Sequence, residues 1–355
     1  MTSDNIRIGF IGAGALSRDR HLPGLAKLEH VQVVAVANRT RESGARIAGA
    51  FGIPHVEDDW RKLIARPDID AVFIGTWPYM HREMSVAALD AGKHCFCQAR
   101  MAMNLTEARE MVAAVGRHPN LVHMICPPPT RMPHEDLIRG LLASGELGEL
   151  TAVQLTSIND ANLKSDTLHW RENVKYSGNQ IMAVGIYAET LNAWVGDYVE
   201  LAARFGWAVR AKKNESGKEV EIKVPQIVSI HGKLASGVTV SEFHCGVAAG
   251  QAPSDRIAML GTKASIHYTI MSPKLEISRP GQTPQEVLIP AGHPTTLDQA
   301  WTVERDFIEA VRAARTGKPW KVSPDFDEGL RYMRKMEAVH AAARTGQTVR
   351  LASLS

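Results

Sequence analysis

The sequence has few cysteines, almost no net charge and no long apolar run, and each of these shortages excludes a class of protein. Four cysteines in 355 residues are too few for a disulfide framework. The N-terminal segment MTSDNIR lacks the apolar stretch of a secretory signal, and no hydrophobic run approaches the length of a membrane span. These features predict a cytoplasmic protein that has no membrane partner.

The charged residues are also nearly balanced. Lys and Arg number 41 and Asp and Glu 38, and the resulting net charge of +3 is too small to indicate binding to nucleic acid. The run from Arg210 to Glu221 is interpreted as a solvated hairpin tip rather than a nucleic-acid patch. No set of His, Cys or acidic residues has the spacing of a metal site. The length, with 45% hydrophobic and 22% charged residues, predicts a globular protein of two domains.

What the chain does contain is a short apolar strand that leads directly into a glycine turn, IRIGFIGAGALS at 6–17. Gly12 allows a tight turn, and Gly14 lets backbone N–H groups approach a pyrophosphate at a helix N-terminus. Ser17 stands where the fingerprint has its third glycine, and it is small enough for close packing of helix and strand. An ordinary strand–turn–helix is the alternative interpretation. The predicted dinucleotide site uses Gly12, Gly14, Ala15 and Leu16.

The second strand indicates which dinucleotide is bound. It ends in Asn38-Arg39-Thr40-Arg41. A site for NAD usually places a carboxylate at this point for the ribose 2′-OH, and Asn38 has no charge. The guanidinium groups of Arg39 and Arg41 suit a 2′-phosphate by geometry and by charge. The sequence therefore favours NADP over NAD, with Asn38, Arg39 and Thr40 at the cofactor, while a solvated basic loop is the alternative.

The order of patterns predicts two domains of different architecture. Strands and helices alternate over the first 125 residues or so, which indicates a parallel sheet with its ligand beyond the carboxyl ends of the strands. The triple proline at 127–129 marks a boundary because it continues neither a helix nor a central strand. Alternating segments from about 200 to 290 predict a mostly antiparallel sheet. The expected domains are 1–126, which binds the dinucleotide, and 127–355, which binds the substrate and forms oligomers.

Seven segments together resemble one protein family over nearly the whole chain, the Gfo/Idh/MocA family of glucose–fructose oxidoreductase, inositol dehydrogenase and relatives. The segments are the glycine loop followed by His21-Leu22-Pro23, PDIDAVFIGT at 67–76, AGKHCFCQARMAMNLTEAREM at 91–111, GELGEL at 145–150, His169-Trp170-Arg171, RIAMLGTKASIHY at 256–268 and GLRYMRKMEAVHAAARTG at 329–346. The resemblance implies an α/β fold, with an N-terminal Rossmann domain and a C-terminal α/β domain. The open, mostly antiparallel sheet of the second domain commonly forms a homodimer or homotetramer interface.

The resemblance also implies an activity. Typical members transfer hydride between NAD(P) and a small polar substrate, namely a sugar, cyclitol or related hydroxy compound. It places the residues that follow the fourth and fifth strands along the cofactor; in this chain they are Thr76, Trp77, His81 and Gln98.

The catalytic positions depart from the family pattern. Members usually carry Glu-Lys-Pro after the fifth strand, where this chain reads Gln98-Ala99-Arg100, so that Ala99 occupies the lysine position. The Asp, Gly and His of a later family helix read Ala183, Gly185 and Tyr187. The lysine, aspartate and histidine of the usual proton relay are therefore all absent.

Three residues are candidates to replace that relay, because oxidation of an alcohol needs a base and a polarising donor. Tyr187 can move a proton if a neighbouring cation lowers its pKa; a buried structural tyrosine is the alternative. Arg100 can polarise a substrate oxygen but cannot act as a base at neutral pH. The alternative interpretation is that Arg100 only forms a structural ion pair. His169 lies in the polar loop 159–177, which borders the substrate in the family, and it titrates near neutral pH unless it is structural. The expected substrate set is Arg100, Lys164, His169, Trp170, Arg171 and Tyr187.

Three functions stay open at this point. The first is an NADP-dependent oxidoreductase with a rebuilt proton relay. The second is an enzyme without net redox, such as a lyase, hydrolase or dehalogenating enzyme, that uses a bound nicotinamide transiently. The third is a non-catalytic sensor that binds NADP and reports it to a partner protein.

Overall fold

The structure is a computed structural model that describes residues 5–129, 133–270 and 273–354. Contacts divide the chain into two compact units, Met1–Pro127 with Thr302–Leu330, and Pro128–Trp301 with Arg331–Ser355. This division differs from a linear boundary at 126/127, because the segment Thr302–Leu330 returns to the first unit. None of the helices in the described part of the chain combines the length and apolar character needed to traverse a bilayer.

The first unit is built on a parallel sheet of six strands. They are β1 (Ile6–Ile11), β2 (Val31–Ala37), β3 (His55–Glu57), β4 (Ala71–Ile74), β5 (His94–Cys97) and β6 (His123–Ile125). Their order, β3-β2-β1-β4-β5-β6, is the strand order of a Rossmann domain. The strands read as continuous apolar runs because both faces are covered: Phe10, Phe73 and Phe96 are each at most 1% exposed. The predicted parallel sheet is confirmed.

Helices connect these strands and close the unit. They are α1 (Leu22–Ala26), preceded by a π-helical turn at Ser17–His21, α2 (Arg41–Phe51), α3 (Trp60–Ala65), α4 (Pro78–Asp90), α5 (Leu105–Arg117) and, from the returning segment, α10 (Val303–Arg315) and the start of α11 (Phe326–Thr345).

In its described residues, the second unit contains eleven strands and further helices. The strands are β7 (Leu150–Ile158), β8 (Tyr198–Gly206), β9 (Ala211–Lys213), β10 (Glu219–Glu221), β11 (Ile227–Leu234), β12 (Thr239–Cys245), β13 (Ser254–Gly261), β14 (Ser265–Thr269), β15 (Lys274–Ser278), β16 (Gln285–Glu286) and β17 (Val349–Arg350). The helices are α6 (Glu135–Ala143), α7 (Val174–Ser177), α8 (Val184–Val195), α9 (Leu297–Ala300) and the rest of α11.

Nine of these strands form one sheet in the order β16-β15-β14-β13-β7-β12-β11-β8-β17. Neighbours in it pair antiparallel except β7 and β12, which are parallel, so the predicted mostly antiparallel sheet is confirmed. Its strands alternate between buried and more exposed residues: Leu155 and Ile257 are buried, whereas Gln154 and Arg256 are exposed. Assembly of two or four copies through the exposed face stays a prediction.

The segment 159–177 is more ordered than the predicted polar loop. Two 3-10 turns, Ala161–Leu163 and Trp170–Glu172, lie in it, and α7 follows. The predicted hairpin at 210–221 is present as the antiparallel pair β9 and β10. The expectation that this hairpin is fully solvated is wrong for Lys212, which is 6% exposed, because its ammonium pairs with a buried carboxylate.

Candidate functional site

The glycine turn after β1 has the backbone geometry that its sequence predicts. Gly12 has φ +74°, and a Cβ there would lie 2.6 Å from the Thr76 side chain and 2.8 Å from the Thr76 nitrogen. A side chain is therefore excluded where the ends of β1 and β4 meet. A Cβ on Gly14 would meet only the Gly12 oxygen, at 4.0 Å, and residues 14–16 are exposed. The turn leaves room for a ligand to approach the backbone of Gly14, Ala15 and Leu16.

The end of β2 lies beside this turn. Asn38 accepts a hydrogen bond from the Ala13 nitrogen at 2.8 Å, and its amide donates to the Ser43 hydroxyl at 2.8 Å. Thr40 caps α2 through the Ser43 nitrogen, and Arg41 donates to the Val56 carbonyl at 3.1 Å. Arg39 is exposed, and within the described residues its guanidinium makes no hydrogen bond or ion pair. The region thus offers an exposed cation and no acidic side chain at position 38.

His81 joins the segments that follow β4 and β5. It is fully buried, with Nδ1 2.7 Å from the Arg100 carbonyl oxygen and Nε2 3.0 Å from the Thr76 carbonyl oxygen. Burial lowers the pKa of His81, against the opposing effect of these carbonyls. Because its ring is enclosed, His81 fixes the two cofactor-side segments rather than facing a ligand itself. Arg100, which follows a cis peptide bond, is half-buried.

A buried hydrogen-bond chain positions Gln98. Its Oε1 accepts from the Ala99 nitrogen at 3.1 Å, so its amide nitrogen faces Nε2 of His21 at 2.9 Å. That ring nitrogen must accept, and the proton on Nδ1 then points to Glu304, 2.5 Å away. Glu304 on α10 is 3% exposed. No sequence signal pointed to Glu304, because it lies 283 residues from its partner; His21 belonged to a family-like segment without an assigned role.

The second unit contains an open cavity of about 450 Å³. It is bordered by β7, the segment 159–172, the start of α8 and the β9 hairpin. The surface that faces the cavity is mainly apolar. Most of the lining residues nevertheless carry a hydroxyl, amide or charged group; the full set is Ser157, Asn159, Ala161, Asn162, Ser165, Thr167, His169, Arg171, Glu172, Met182, Ala183, Lys212 and Val224. A wall of this kind suits a small ligand with both apolar surface and hydroxyl groups, because the placed polar side chains can exchange hydrogen bonds with some of those hydroxyls.

Glu172 organises that wall. Its carboxylate accepts hydrogen bonds from the Asn162 amide at 2.9 Å, the Lys212 ammonium at 2.8 Å and the His169 backbone nitrogen at 3.0 Å. Glu172 and Lys212 are each 6% exposed. Neither was predicted as a site residue. Glu172 directly follows the family-like segment His169-Trp170-Arg171. Lys212 lies in a run of charged residues that is typical of an exposed surface.

His169 lies on the cavity wall with a defined tautomer. Its Nδ1 accepts from the Arg171 backbone nitrogen at 3.3 Å, so a neutral ring carries its proton on Nε2. Burial and the charges of Arg171 and Lys212 lower its pKa, which keeps the ring neutral at pH 7. In this state Nε2 donates a hydrogen bond and is not a base.

Tyr187 is placed differently from what a proton relay requires. Its side chain on α8 is 1% exposed and lies outside the cavity wall, whereas Ser157, which acts on its pKa, forms part of that wall. Burial and the Asp255 carboxylate raise the pKa of Tyr187 well above its usual value. The condition for proton transfer by Tyr187, a pKa lowered by a neighbouring cation, is not met among the described residues, which place a carboxylate beside the phenol.

Of the other predicted residues in the second unit, one lies on the cavity wall and two lie outside it. Arg171 lies on the cavity wall. Lys164 is exposed and pairs with Asp160 at 3.0 Å, and Trp170 stacks under the Arg171 guanidinium at 4.3 Å; within the described chain both stand outside the wall.

Trp77 precedes α4 and is half-buried. Among the described residues there is no cluster of three or more His, Cys, Asp or Glu that could hold a metal ion.

Two family models match the chain. Residues 6–126 match the model described as "Oxidoreductase family, NAD-binding Rossmann fold", and residues 136–267 match the GFO/IDH/MocA C-terminal domain.

Relatives from bacteria and a mammal are similar to parts of the chain. Levoglucosan dehydrogenase of Pseudarthrobacter phenanthrenivorans is 30% identical over 185 residues, which are 49% of this chain and 47% of that protein. An uncharacterised oxidoreductase of Rhizobium meliloti, ORF334, is 30% identical over 44% of this chain and 47% of its own length. The matched segments thus span about half the length of these two relatives. Trans-1,2-dihydrobenzene-1,2-diol dehydrogenase of Bos taurus is 29% identical over 73% of this chain and 72% of its own.

Solved structures share the whole fold. Levoglucosan dehydrogenase in complex with NADH and L-sorbose superposes with a TM-score of 0.87 at 21% identity, over 98% of this chain and 99% of that chain. An oxidoreductase domain protein from Kribbella flavida gives a TM-score of 0.83 at 23% identity, with the same coverage of 98% and 99%. At these identities the likeness establishes the fold alone.

Proposed function

This chain belongs to the GFO/IDH/MocA family of oxidoreductases with an NAD-binding Rossmann fold, and on that premise we propose that it transfers hydride between NADP and a small polyhydroxylated substrate. The substrate class is a sugar, a cyclitol or a related hydroxy compound. The observation that carries the proposal is the cavity of the second unit, where hydroxyl, amide and charged groups stand among mainly apolar surface.

The choice of NADP rests on the end of β2. A 2′-phosphate brings negative charge, which the exposed Arg39 attracts and which a carboxylate at position 38 would repel. Asn38 has no charge, and its side chain is already occupied by Ala13 and Ser43. Arg41, the first residue of α2, is exposed and adds a second positive charge.

In the first unit, some residues bind the cofactor directly and others position the segments around it. The backbone of Gly14, Ala15 and Leu16 approaches the pyrophosphate, and the side-chain-free Gly12 lets β1 and β4 come together behind it. His81 and Gln98 hold the two segments that follow β4 and β5. When bound, the nicotinamide supplies a two-electron hydride donor or acceptor.

In the second unit, His169 and Arg171 act as hydrogen-bond donors to substrate oxygens. His169 presents Nε2–H, because its Nδ1 is taken by the backbone. Arg171 is held in place by stacking on Trp170. These donors orient a hydroxyl or carbonyl oxygen and polarise it, which is one of the two requirements for hydride transfer.

The function is tested with nucleotide-stripped protein titrated with NADPH and with NADH, followed by protein-to-nicotinamide fluorescence transfer. A panel of sugars and polyols, with levoglucosan and L-sorbose included, is then screened by nicotinamide absorbance. Stoichiometric change of the cofactor with a panel member supports the proposal. Turnover without net change of the cofactor indicates transient use of the nicotinamide, and binding without any turnover indicates a sensor; either result replaces the proposal.

The preference for NADP predicts the behaviour of Arg39→Ala. Loss of the guanidinium removes a charge-assisted contact to the 2′-phosphate, so we expect the Kd for NADPH to rise about tenfold or more while the Kd for NADH stays unchanged. The matched control is Arg46→Ala, which removes an exposed arginine of α2 that pairs with Glu42 at 2.8 Å. Equal losses for both nucleotides in Arg39→Ala would contradict the assignment.

A further inference from the structure

A smaller pocket, of about 220 Å³, lies elsewhere in the second unit. It is formed by the end of α8, the start of β8, the part of α11 that belongs to this unit and the 3-10 turn Leu351–Ser353. We call it the α11 pocket; its lining residues with polar or charged side chains are Asn192, Asp197, Tyr198, Arg331, Arg334 and Lys335. It shares no described lining residue with the larger cavity of the second unit.

Three cations of one helix meet at this pocket. Arg334 and Lys335 follow Arg331 by three and four residues, so that all three side chains lie on the same face of α11. Among the described lining residues only Asp197 supplies a carboxylate, and it pairs with Arg331 at 2.9 Å. The wall of the α11 pocket therefore carries more positive than negative charge.

The ammonium of Lys335 is the deeply buried part of this wall. The Lys335 side chain is 1% exposed, and its Nζ lies 2.5 Å from Oε1 of Glu242. Glu242 also accepts a hydrogen bond from the Tyr198 hydroxyl and lies 3.1 Å from Nε2 of His244, so its carboxylate is held on three sides. Glu242 thus balances the charge of Lys335 and fixes its position.

Arg334 is the cation that has no carboxylate partner. It is half-buried, and within the described residues its guanidinium makes no ion pair, while its Nε–H is buried away from any acceptor. On α8, the side-chain oxygen of Asn192 is likewise buried without a donor. Buried polar groups are normally satisfied, so these two side chains of one pocket have hydrogen-bonding capacity to offer to a ligand.

We propose that the α11 pocket binds a small oxyanion whose charged group is a phosphate. The fork of N–H groups on Arg334 matches the oxygens of a phosphate, and the amide of Asn192 can turn either its oxygen or its NH₂ to the same ligand. The volume of about 220 Å³ is below the roughly 300–1,000 Å³ of sites for drug-sized ligands, which favours inorganic phosphate or a small phosphate monoester over a nucleotide. Binding there does not depend on the proposed hydride transfer.

Calorimetric titration of the full chain with inorganic phosphate, at fixed ionic strength, tests the proposal. Arg334→Gln is expected to raise the Kd for phosphate about tenfold or more, because a charge-assisted contact is lost. This variant should fold, since it leaves no carboxylate without its cation, and circular dichroism verifies this. The matched control is Arg344→Gln, which removes an exposed arginine of α11 outside the pocket and should bind phosphate as the wild type does.

Phosphate can also bind in the first unit, where Arg39 lies beside the proposed cofactor site. Arg39→Ala separates the two places, because it is expected to leave the phosphate affinity of the α11 pocket unchanged. Phosphate binding that is lost in Arg39→Ala and kept in Arg334→Gln would assign the ion to the first unit and overturn the proposal. Absence of saturable phosphate binding in the wild type would overturn it as well.

The class of anion is tested with glycerol 3-phosphate and with malonate. Tighter binding of glycerol 3-phosphate than of inorganic phosphate, weakened again in Arg334→Gln, assigns a phosphate monoester, and the reverse order assigns inorganic phosphate. Asn192→Asp places a carboxylate in the wall and should weaken the binding of each anion about tenfold or more by repulsion. Tighter binding of malonate than of both phosphates would overturn the phosphate class, and unchanged binding in Asn192→Asp would overturn the site.

Discussion

At the scale of single residues, Tyr187 is the sharpest difference between sequence and structure. Its phenol is enclosed beside Asp255 and Ser157, and its pKa is raised by burial and by the Asp255 carboxylate. It therefore keeps its proton over the whole working range of pH. We therefore infer that Tyr187 stabilises the second unit and does not serve as a base.

Tyr187→Phe is therefore predicted to affect stability more than rate. Loss of the hydroxyl leaves the polar groups of Asp255 and Ser157 with one partner fewer, so the free energy of unfolding should fall by about 1–3 kcal/mol. The kcat should change less than about tenfold, because the phenol does not reach the cavity wall. Urea unfolding and steady-state kinetics measure both quantities. A hundredfold loss of kcat at unchanged stability would restore Tyr187 as the relay.

The sequence predicts the local geometry of those candidate residues whose pattern has a single structural solution. Gly12 and Gly14 follow from a strand, a tight turn and a helix in direct succession, and Asn38 follows from the end of the next strand. Lys212 could not be predicted in this way, because its burial depends on Glu172, forty residues earlier, and its neighbours read as solvent-exposed. The sequence shows which residues are charged, but whether a charged side chain is buried depends on contacts with distant parts of the chain.

At the scale of secondary-structure elements, the contact between the glycine turn and the end of β4 is the critical one. Gly75 follows β4, and a Cβ there would lie 2.6 Å from both the Gly12 carbonyl oxygen and the Ser17 hydroxyl. Both of these atoms belong to the segment that we propose to lie at the pyrophosphate. The strand and the turn therefore cannot separate to accept a side chain without moving the cofactor loop.

Gly75→Ala is predicted to lower the free energy of unfolding by about 1–3 kcal/mol, because the added methyl group overpacks this contact. The affinity for NADPH should fall with it. Gly116→Ala in α5 is the matched control: no atom lies within 4 Å of its Cβ, so a gain of roughly 0.4–1 kcal/mol is expected. Thermal unfolding and nucleotide titration measure both variants. An unaffected Gly75→Ala protein would show that the turn adapts freely.

The sequence predicted elements well where periodicity decides them. The six parallel strands are short apolar runs, and the strands of the large sheet alternate between buried and exposed residues. The segment 159–177 has neither period, because its 3-10 turns are held by the Glu172 side chain rather than by a repeating backbone pattern. Such a segment reads as a plain polar loop.

At the scale of the whole molecule, the order of patterns along the sequence does not predict that Thr302–Leu330 returns to the first unit. The triple proline gives a real break after the parallel sheet, but no local signal shows that a segment 170 or so residues later packs against that sheet. The contact is made by Arg315 of α10, which pairs with Asp70 at 2.8 Å, and by Glu304, which pairs with His21. Residues so far apart in sequence come together only in the folded structure, so the sequence alone does not show that they pair.

Asp70 makes this return segment sensitive to acid. Burial alone would raise its pKa, but hydrogen bonds and charges from Arg7 and Arg315 outweigh it and lower the pKa from 3.8 to about 2. Since the folded pKa lies below the unfolded one, the stabilisation is complete above about pH 4 and is lost as the pH falls toward 2. The difference corresponds to about 2 kcal/mol at pH 7, because one pKa unit is worth about 1.4 kcal/mol.

Asp70→Asn is therefore predicted to lower the free energy of unfolding by about 2 kcal/mol at pH 7, since an amide cannot supply the charge that both arginines face. The deficit relative to wild type should shrink as the pH is lowered through the range from 4 to 2, where wild-type Asp70 gains its own proton. Urea unfolding at pH 7, 5 and 3 measures this. Asp19→Asn, which breaks the exposed pair with Arg18, is the control and should show no measurable change at any pH. A deficit in Asp70→Asn that stays constant from pH 7 to pH 3 would show that shape, rather than the charge of Asp70, holds the return segment.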